Sequence, residues 1–171
     1  MRFSLIDRVT EFVPGSKIVA TKSLSLAEEY LADHFPRFPV MPGVLMLEAM
    51  TQSGAWLIRA SEDFAHSIVL LAAATNVKFR DFVRPGQVLT VTAEWIRHSE
   101  GTVDIRAMGT VAGEIAVRGN LVLQRRNLAD DQPHLAATDE YLKRTLRQSW
   151  KLLTGSLAAT QAVAEPTTLS S

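Results

Sequence analysis

The sequence contains no cysteine and carries no net formal charge, with 18 basic and 18 acidic residues among its 171. The lack of cysteine excludes disulfides, thiolate metal sites and a cysteine nucleophile, and it fits a reducing cytoplasm. The balanced charge gives no electrostatic case for binding nucleic acid. The sequence also lacks a cysteine–histidine cluster and a glycine-rich phosphate loop, so it implies neither a bound metal nor a nucleotide.

Long uninterrupted hydrophobic runs are absent as well. The longest apolar region, residues 40–58, is broken by Pro42 and Glu48, so we expect no membrane span. Near the start, Asp7 lies where a secretory signal peptide needs an apolar run. Apolar residues nevertheless make up 47% of the chain, which predicts one globular domain with a substantial core.

The most distinctive stretch is a histidine followed by a proline-rich loop and an apolar helix. Three prolines follow His34, and such a loop is stiff and extended rather than helical. From Pro42 to about Ala60 the residues predict a helix that is apolar on nearly all sides and therefore buried. Glu48 is its only charge over most of that length, and a carboxylate there is costly to bury without a partner or a task. Gln52 lies one turn further along the same face.

Two short elements are predicted before this stretch. Residues 5–12 and 17–24 flank the turn pair Pro14-Gly15 and predict a β-hairpin. Ser25 followed by Glu28 is the capping-box pattern and predicts a helical turn that continues to Asp33.

Four strands are predicted after the long helix. The apolar residues 67–74, continued through 77–79, predict a central strand. After a turn at residues 84–86, three segments alternate between apolar and polar residues, which predicts an antiparallel sheet with one covered face. Their apolar positions are Leu89, Val91, Ala93 and Trp95; Val103, Ile105 and Ala107; and Ile115, Val117, Leu121 and Leu123, with hairpin turns at 99–101 and 112–113. The predicted architecture is an α+β fold in which this sheet wraps around the one long helix.

The composition changes after Arg126. Residues 127–137 read as a polar linker, and Thr138, with Asp139 and Glu140 behind it, predicts a helix start. An apolar stripe then runs to Gly155, and residues 156–171 are predicted to be disordered. The stripe consists of Leu142, Leu146, Trp150 and Leu153. We therefore divide the chain into a domain at 1–126 and a C-terminal extension at 127–171 with one extra helix.

The residues around the histidine form a long motif: His34-Phe35-Pro36-x-x-Pro39-x-x-Pro42-Gly43-Val44-Leu45-x-x-Glu48-Ala49-Met50-x-Gln52. This motif closely resembles the active-site signature of the β-hydroxyacyl-acyl carrier protein dehydratases of bacterial fatty-acid synthesis, which have the hotdog fold. The resemblance extends from about Leu5 to about Leu123. It implies that the predicted sheet and helix form a hotdog domain. It also implies that the chain converts a 3-hydroxyacyl thioester into a trans-2-enoyl thioester and water.

The resemblance also implies a role for each residue of the site. His34 would take the proton next to the thioester carbonyl, and Glu48 would protonate the departing hydroxyl, so the two need opposed protonation states. The Gly43 N–H at the helix N-terminus would polarise the thioester oxygen. In the family, the carbonyl of Val40 orients the histidine and Gln52 supports the glutamate.

The implied partners follow from the family's assembly. His34 of one subunit meets Glu48 of the other, so the protein is expected to be a homodimer or a trimer of such dimers. The substrate arrives on the phosphopantetheine arm of an acyl carrier protein, and no separate cofactor is needed. The chain departs from the family at Arg37, where glycine is usual. We expect Arg37 to re-route the loop or to reach a phosphate or an acidic carrier surface.

Alternative functions remain open at this point. A dehydratase that also isomerises the double bond carries aspartate at the Glu48 position in the family, and hotdog thioesterases lack the proline loop. A non-catalytic or partner-dependent hotdog subunit in a heterodimer that binds acyl thioesters is the alternative from another class. The C-terminal helix either docks on its own domain or contacts the carrier with its four cations. Neither the acyl chain length nor the pathway follows from the sequence.

Overall fold

The computed structural model describes residues 3–35, 37–155 and 157. Its elements alternate between hairpins and helices, with the longest helix inserted between the second and third strands. The strands are β1 (Arg8–Val13), β2 (Lys17–Ser23), β3 (Ile68–Phe79), β4 (Val88–Ser99), β5 (Thr102–Val111) and β6 (Glu114–Arg126); the helices are α1 (Tyr30–Asp33), α2 (Gly43–Ser61) and α3 (Ala136–Leu153). Within the described residues, no helix is long and apolar enough to cross a lipid bilayer.

The strands form one antiparallel sheet in the order β1-β2-β4-β5-β6-β3. The predicted hairpins are confirmed, since β1 pairs with β2, β4 with β5 and β5 with β6. Buried residues alternate along β4 and β5 as the sequence predicts, with Leu89, Val91, Val103 and Ile105 among them. The sheet therefore presents one apolar face.

That apolar face packs against α2, as predicted. Met50, Leu57 and Ile58 of the helix are fully buried. At Gly54 a Cβ atom would lie only 2.8 Å from a methyl group of Leu123, so glycine lets helix and sheet approach closely. The helix begins at Gly43, with Pro42 as its N-terminal cap.

The predicted start of the first helix at Ser25 is wrong. Helix α1 begins at Tyr30, and the Ser25 hydroxyl accepts a hydrogen bond from the Ala27 N–H at 3.1 Å in a local turn. The second half of the expected capping box is engaged elsewhere. Glu28 pairs at 2.7 Å with the buried ammonium of Lys22 on β2.

The prediction that β3 is a central strand is also wrong for a single chain. Within the described residues β3 pairs only with β6, and it forms the edge of the sheet. Its apolar run predicts burial on both faces, yet Leu70 and Phe79 are about half exposed, at 52% and 51%. The described residues of one chain leave this edge and these side chains uncovered.

The C-terminal helix docks on the domain through its predicted apolar stripe. The Trp150 ring lies 5.0 Å from that of Phe12 and 5.9 Å from that of Trp56. The predicted cap at Thr138 is wrong, because α3 begins at Ala136. The helix ends at Leu153, two residues before Gly155. The predicted disordered tail, 156–171, lies outside the described residues apart from position 157.

Candidate active site

The histidine loop is anchored at one end and open at the other. His34 follows directly on α1, has an extended backbone and is half-buried. At the far end of the loop, Val40 and Met41 are buried, and the Met41 N–H donates a hydrogen bond to the Val83 carbonyl at 2.9 Å. The buried end fixes the start of α2, while the His34 end faces outward.

The first turn of α2 provides free backbone donors. No side chain caps the N-terminus of this helix, and the first N–H groups of a helix have no partner within it. The phenyl ring of Phe79 covers Gly43 so closely that a Cβ atom there would lie 3.1 Å from it. A larger residue at this position would require the Phe79 ring to shift by a few tenths of an ångström.

Glu48 is held by a chain of hydrogen bonds from the N-terminal segment. The Gln52 Nε2 atom donates to the Glu48 Oε1 atom at 2.9 Å and to the Phe3 carbonyl at 3.1 Å. The Gln52 Oε1 atom accepts from the Leu5 N–H at 2.9 Å. The predicted proximity of Glu48 and Gln52 is confirmed. The clamp by Phe3 and Leu5 is not visible in the sequence, because these contacts join residues far apart in the chain.

Glu48 faces a cavity of about 520 Å³. The described part of the chain contributes to it from four places: the N-terminal segment, one face of α2, the start of β3 and one face of α3. Trp56 and Arg59 line the cavity on α2, and Leu146 and Ser149 line it on α3. Its volume and mostly apolar walls suit a small-molecule ligand with an extended apolar part.

Arg59 is a further candidate site residue, which no pattern in the sequence indicates. Its guanidinium lies over the Trp56 ring, 5.6 Å from the ring centroid, and its buried Nε atom has no hydrogen-bond partner in the part of the chain that the structure describes. Burial lowers the pKa of Arg59 to about 10, so the side chain remains charged at neutral pH. An arginine in the last turn of a helix is an ordinary sequence feature, and only the packing of α3 places this one in a cavity wall.

The two central candidates are not brought together within one chain. His34 does not line the Glu48 cavity, and in the part of the chain that the structure describes no hydrogen bond or ion pair joins the two side chains. Several exposed apolar side chains nevertheless lie on the histidine loop, in the first turn of α2 and around the end of β3. These are Phe35, Phe38, Val44, Phe79 and Phe82. An apolar patch of this kind is typical of a surface that another molecule covers.

The remaining predicted features of the site fall on its surface. Arg37 is exposed in the turn after His34, and the described residues give it no ion pair. Among those residues, no group of three histidine or acidic side chains could hold a metal ion. The predicted role of the Val40 carbonyl stays a prediction.

Comparison with protein families and curated proteins gives a consistent result. A family model described as FabA-like domain matches residues 1–126. The 3-hydroxyacyl-acyl-carrier-protein dehydratase FabZ of Ruminiclostridium cellulolyticum is 36% identical over 119 residues, covering 70% of this chain and 84% of that protein. The FabZ protein of Lactiplantibacillus plantarum is 45% identical over 105 residues, covering 60% of this chain and 71% of that protein.

Solved structures share the fold at lower identity. The dehydratase heterocomplex ApeI:P from Xenorhabdus doucetiae matches with a TM-score of 0.63 and 16% identity, over 78% of this chain and 90% of that one. The protein smu.793 of Streptococcus mutans, bound to acetyl CoA, matches with a TM-score of 0.57 and 11% identity, over 73% and 92% of the two chains. At these identities the likeness concerns the fold alone, and it confirms the predicted α+β hotdog architecture.

Proposed function

Because this chain belongs to the FabA-like domain family, we propose that it dehydrates a 3-hydroxyacyl thioester carried by an acyl carrier protein. The products are the trans-2-enoyl thioester and water, in fatty-acid or related acyl-chain biosynthesis. The relatives of this name support the reaction, since they match at 36% and 45% identity. The observation that carries the proposal is the half-buried Glu48 carboxylate, clamped by Gln52 at the wall of a chain-sized cavity.

His34 and Glu48 divide the chemistry between them. His34 removes a proton from C2 of the substrate, and the electron pair forms the C2–C3 double bond. The C3–O bond breaks as Glu48 donates a proton to the leaving hydroxyl, which departs as water. The proton on His34 returns to Glu48 through solvent, which restores the enzyme.

Gly43 stabilises the charge that develops in this reaction. As C2 loses its proton, negative charge moves onto the thioester oxygen. The free N–H groups at the start of α2 and the positive end of the helix dipole favour that charge. The mechanism uses no metal or separate cofactor, because the pantetheine arm arrives with the substrate.

We propose a homodimer, or a trimer of such dimers, in which His34 of one copy acts with Glu48 of the other. Two features support this arrangement. Within the described sheet, the outer edge of β3 pairs with no strand, and its half-exposed apolar side chains can be covered by a second copy of the chain. The exposed patch around Phe35 and Phe38 lies on the loop that would then reach the partner. The balanced charge and the absence of cysteine suit a cytoplasmic location.

The direct test follows enoyl absorbance after a 3-hydroxyacyl thioester is mixed with the purified protein. The wild type is expected to generate the signal and His34→Ala to abolish it, with the fold of the variant checked by circular dichroism. Equal enoyl absorbance from the wild type and His34→Ala would contradict the proposed mechanism. Turnover that requires a second, different hotdog chain would instead support the heterodimer alternative.

A further inference from the structure

The Glu48 cavity has a cation at its other end. Glu48, Gln52, Trp56 and Arg59 all line it from one face of α2. Arg59 lies eleven positions after Glu48, which is about 16.5 Å along an α-helix. A substrate chain that begins at Glu48 and follows the helix therefore ends beside a guanidinium rather than beside a purely apolar wall.

Arg59 has no anionic partner within the described residues. The two carboxylates that follow it in sequence are engaged elsewhere: Glu62 with Arg125 and His66, and Asp63 with Arg147. The stacking on Trp56 satisfies only one face of the guanidinium, and among the described residues its buried Nε–H finds no acceptor. A cation in this state costs free energy unless a ligand brings an acceptor to it.

The wall opposite Arg59 comes from α3, which lies outside the residues that match the family model. Its two hydroxyl groups already donate within the helix, Thr145 to the Tyr141 carbonyl at 2.9 Å and Ser149 to the Thr145 carbonyl at 3.1 Å. These hydroxyls present oxygen lone pairs, so Arg59 is the group available to donate to a ligand. The apolar stripe of α3, which includes Trp150, holds this wall against the domain.

We propose that Arg59 is a specificity-determining residue that binds an acceptor oxygen, best a carboxylate, at the distal end of the acyl chain. The substrate class is then a 3-hydroxyacyl thioester with an oxygenated end rather than a methyl end. This assignment rests on the proposed dehydration, since it takes Glu48 as the reacting end of the same cavity. A carboxylate in the cavity would neutralise the charge of Arg59 and accept hydrogen bonds from its guanidinium.

The test compares two 3-hydroxyacyl pantetheine thioesters of equal length, one ending in a carboxylate and the other in a methyl group. The wild type is expected to favour the carboxylate in kcat/KM by about tenfold or more, because an unpaired buried donor penalises the methyl end. Arg59→Met is expected to remove or reverse this preference, and Arg59→Lys to retain part of it. Arg97→Met is the matched control, because Arg97 is 72% exposed and remote from the cavity wall.

A binding measurement separates this proposal from the reaction itself. Saturated acyl pantetheines without the 3-hydroxyl group, ending in a carboxylate or a methyl group, are titrated calorimetrically into the same proteins. If wild type prefers the carboxylate and Arg59→Met removes that preference, the assignment of Arg59 is supported. This holds even if neither 3-hydroxyacyl substrate turns over, because lack of turnover would contradict only the proposed dehydration. A wild-type preference for the methyl end, or the same preference in wild type and Arg59→Met, overturns the assignment. If Arg59→Met does not fold, the preference of the wild type for the carboxylate or the methyl end decides whether the assignment stands.

Discussion

Gln52 binds Glu48 one helical turn away with the same amide group that holds the N-terminal segment. Its Nε2 atom donates to the Glu48 Oε1 atom at 2.9 Å, and its Oε1 atom accepts from the Leu5 N–H at 2.9 Å. The second contact fixes which side of the amide faces the carboxylate. A residue far from Glu48 in the chain therefore controls the position of the proposed acid.

Replacing Gln52 with methionine is expected to lower kcat by about tenfold or more while KM changes little, because the carboxylate loses its positioning donor. The Leu5 N–H also loses its acceptor, so the free energy of unfolding should fall by about 1–3 kcal/mol. Steady-state kinetics and urea unfolding measure the two effects. Gln148→Met, at an exposed position on α3, is the control. A rise in KM at constant kcat would contradict the positioning role.

Mixing two inactive variants tests whether the site spans two chains. If His34 of one copy acts with Glu48 of the other, a mixed dimer of His34→Ala and Glu48→Gln chains contains one intact site. Random mixing after partial unfolding and refolding should then restore about a quarter of wild-type activity. The measurement is enoyl formation before and after mixing, with each variant refolded alone as its control. Failure to regain activity in verified mixed dimers would place the site within one chain.

Introducing a methyl group at Gly43 tests the close contact with Phe79. Gly43→Ala places a Cβ atom 3.1 Å from the ring, so we expect a loss of about 1–3 kcal/mol of stability and a lower kcat/KM. The double variant with Phe79→Leu relieves the contact and should recover most of the stability. Thermal unfolding of the single and double variants measures the coupling. If Gly43→Ala destabilises the protein equally in the wild-type and the Phe79→Leu backgrounds, the contact with the Phe79 ring is not the cause of the lost stability.

Acid should weaken the attachment of the C-terminal extension. Burial of Asp139 opposes its ionisation, but hydrogen bonds from Ser67, the Ala129 N–H and the Leu128 N–H, together with the charge of Lys143, hold its pKa below the ordinary value. A lowered folded-state pKa stabilises the protein above the unfolded-state pKa of about 3.9, and this contribution is lost as the pH falls through the folded-state value.

Asp139→Asn removes this pH-dependent contribution. The variant should be less stable than the wild type near pH 7, and the difference should shrink toward about pH 3. Urea unfolding at both pH values measures it, and Glu140→Gln serves as the exposed control on the same helix. A difference between the two proteins that is constant across this range would assign the effect to packing alone.

The sequence predicted the contacts that depend on local spacing. Gln52 meets Glu48 because residues four apart share a helix face, and the hairpins follow from alternation and turn residues. The long helix was found because its apolar residues need a surface to cover them. These rules act over a few residues, so they hold before the chain is folded.

The failed predictions involve groups whose partners lie outside the local pattern from which the prediction was made. Ser25 and Glu28 match a capping box, but the buried Lys22 ammonium recruits Glu28. Asp139 lies in the first turn of α3 as predicted, but its hydrogen bond from Ser67, 72 residues away, does not follow from local spacing. Similarly, the apolar run of β3 predicts burial but does not tell which chain provides the cover. Arg59 was missed for the same reason, since α3 forms the wall that makes it part of a cavity.

If the proposed dimer forms along the edge of β3, its assembly and its activity are coupled. A newly synthesised chain that has not met its partner would lack half of the proposed site and would also expose a strand edge prone to aberrant pairing. Association would remove both deficits in one step. The specific activity of the protein should therefore depend on its concentration. Dilution below the dissociation constant of the dimer would abolish activity before the individual domain unfolds.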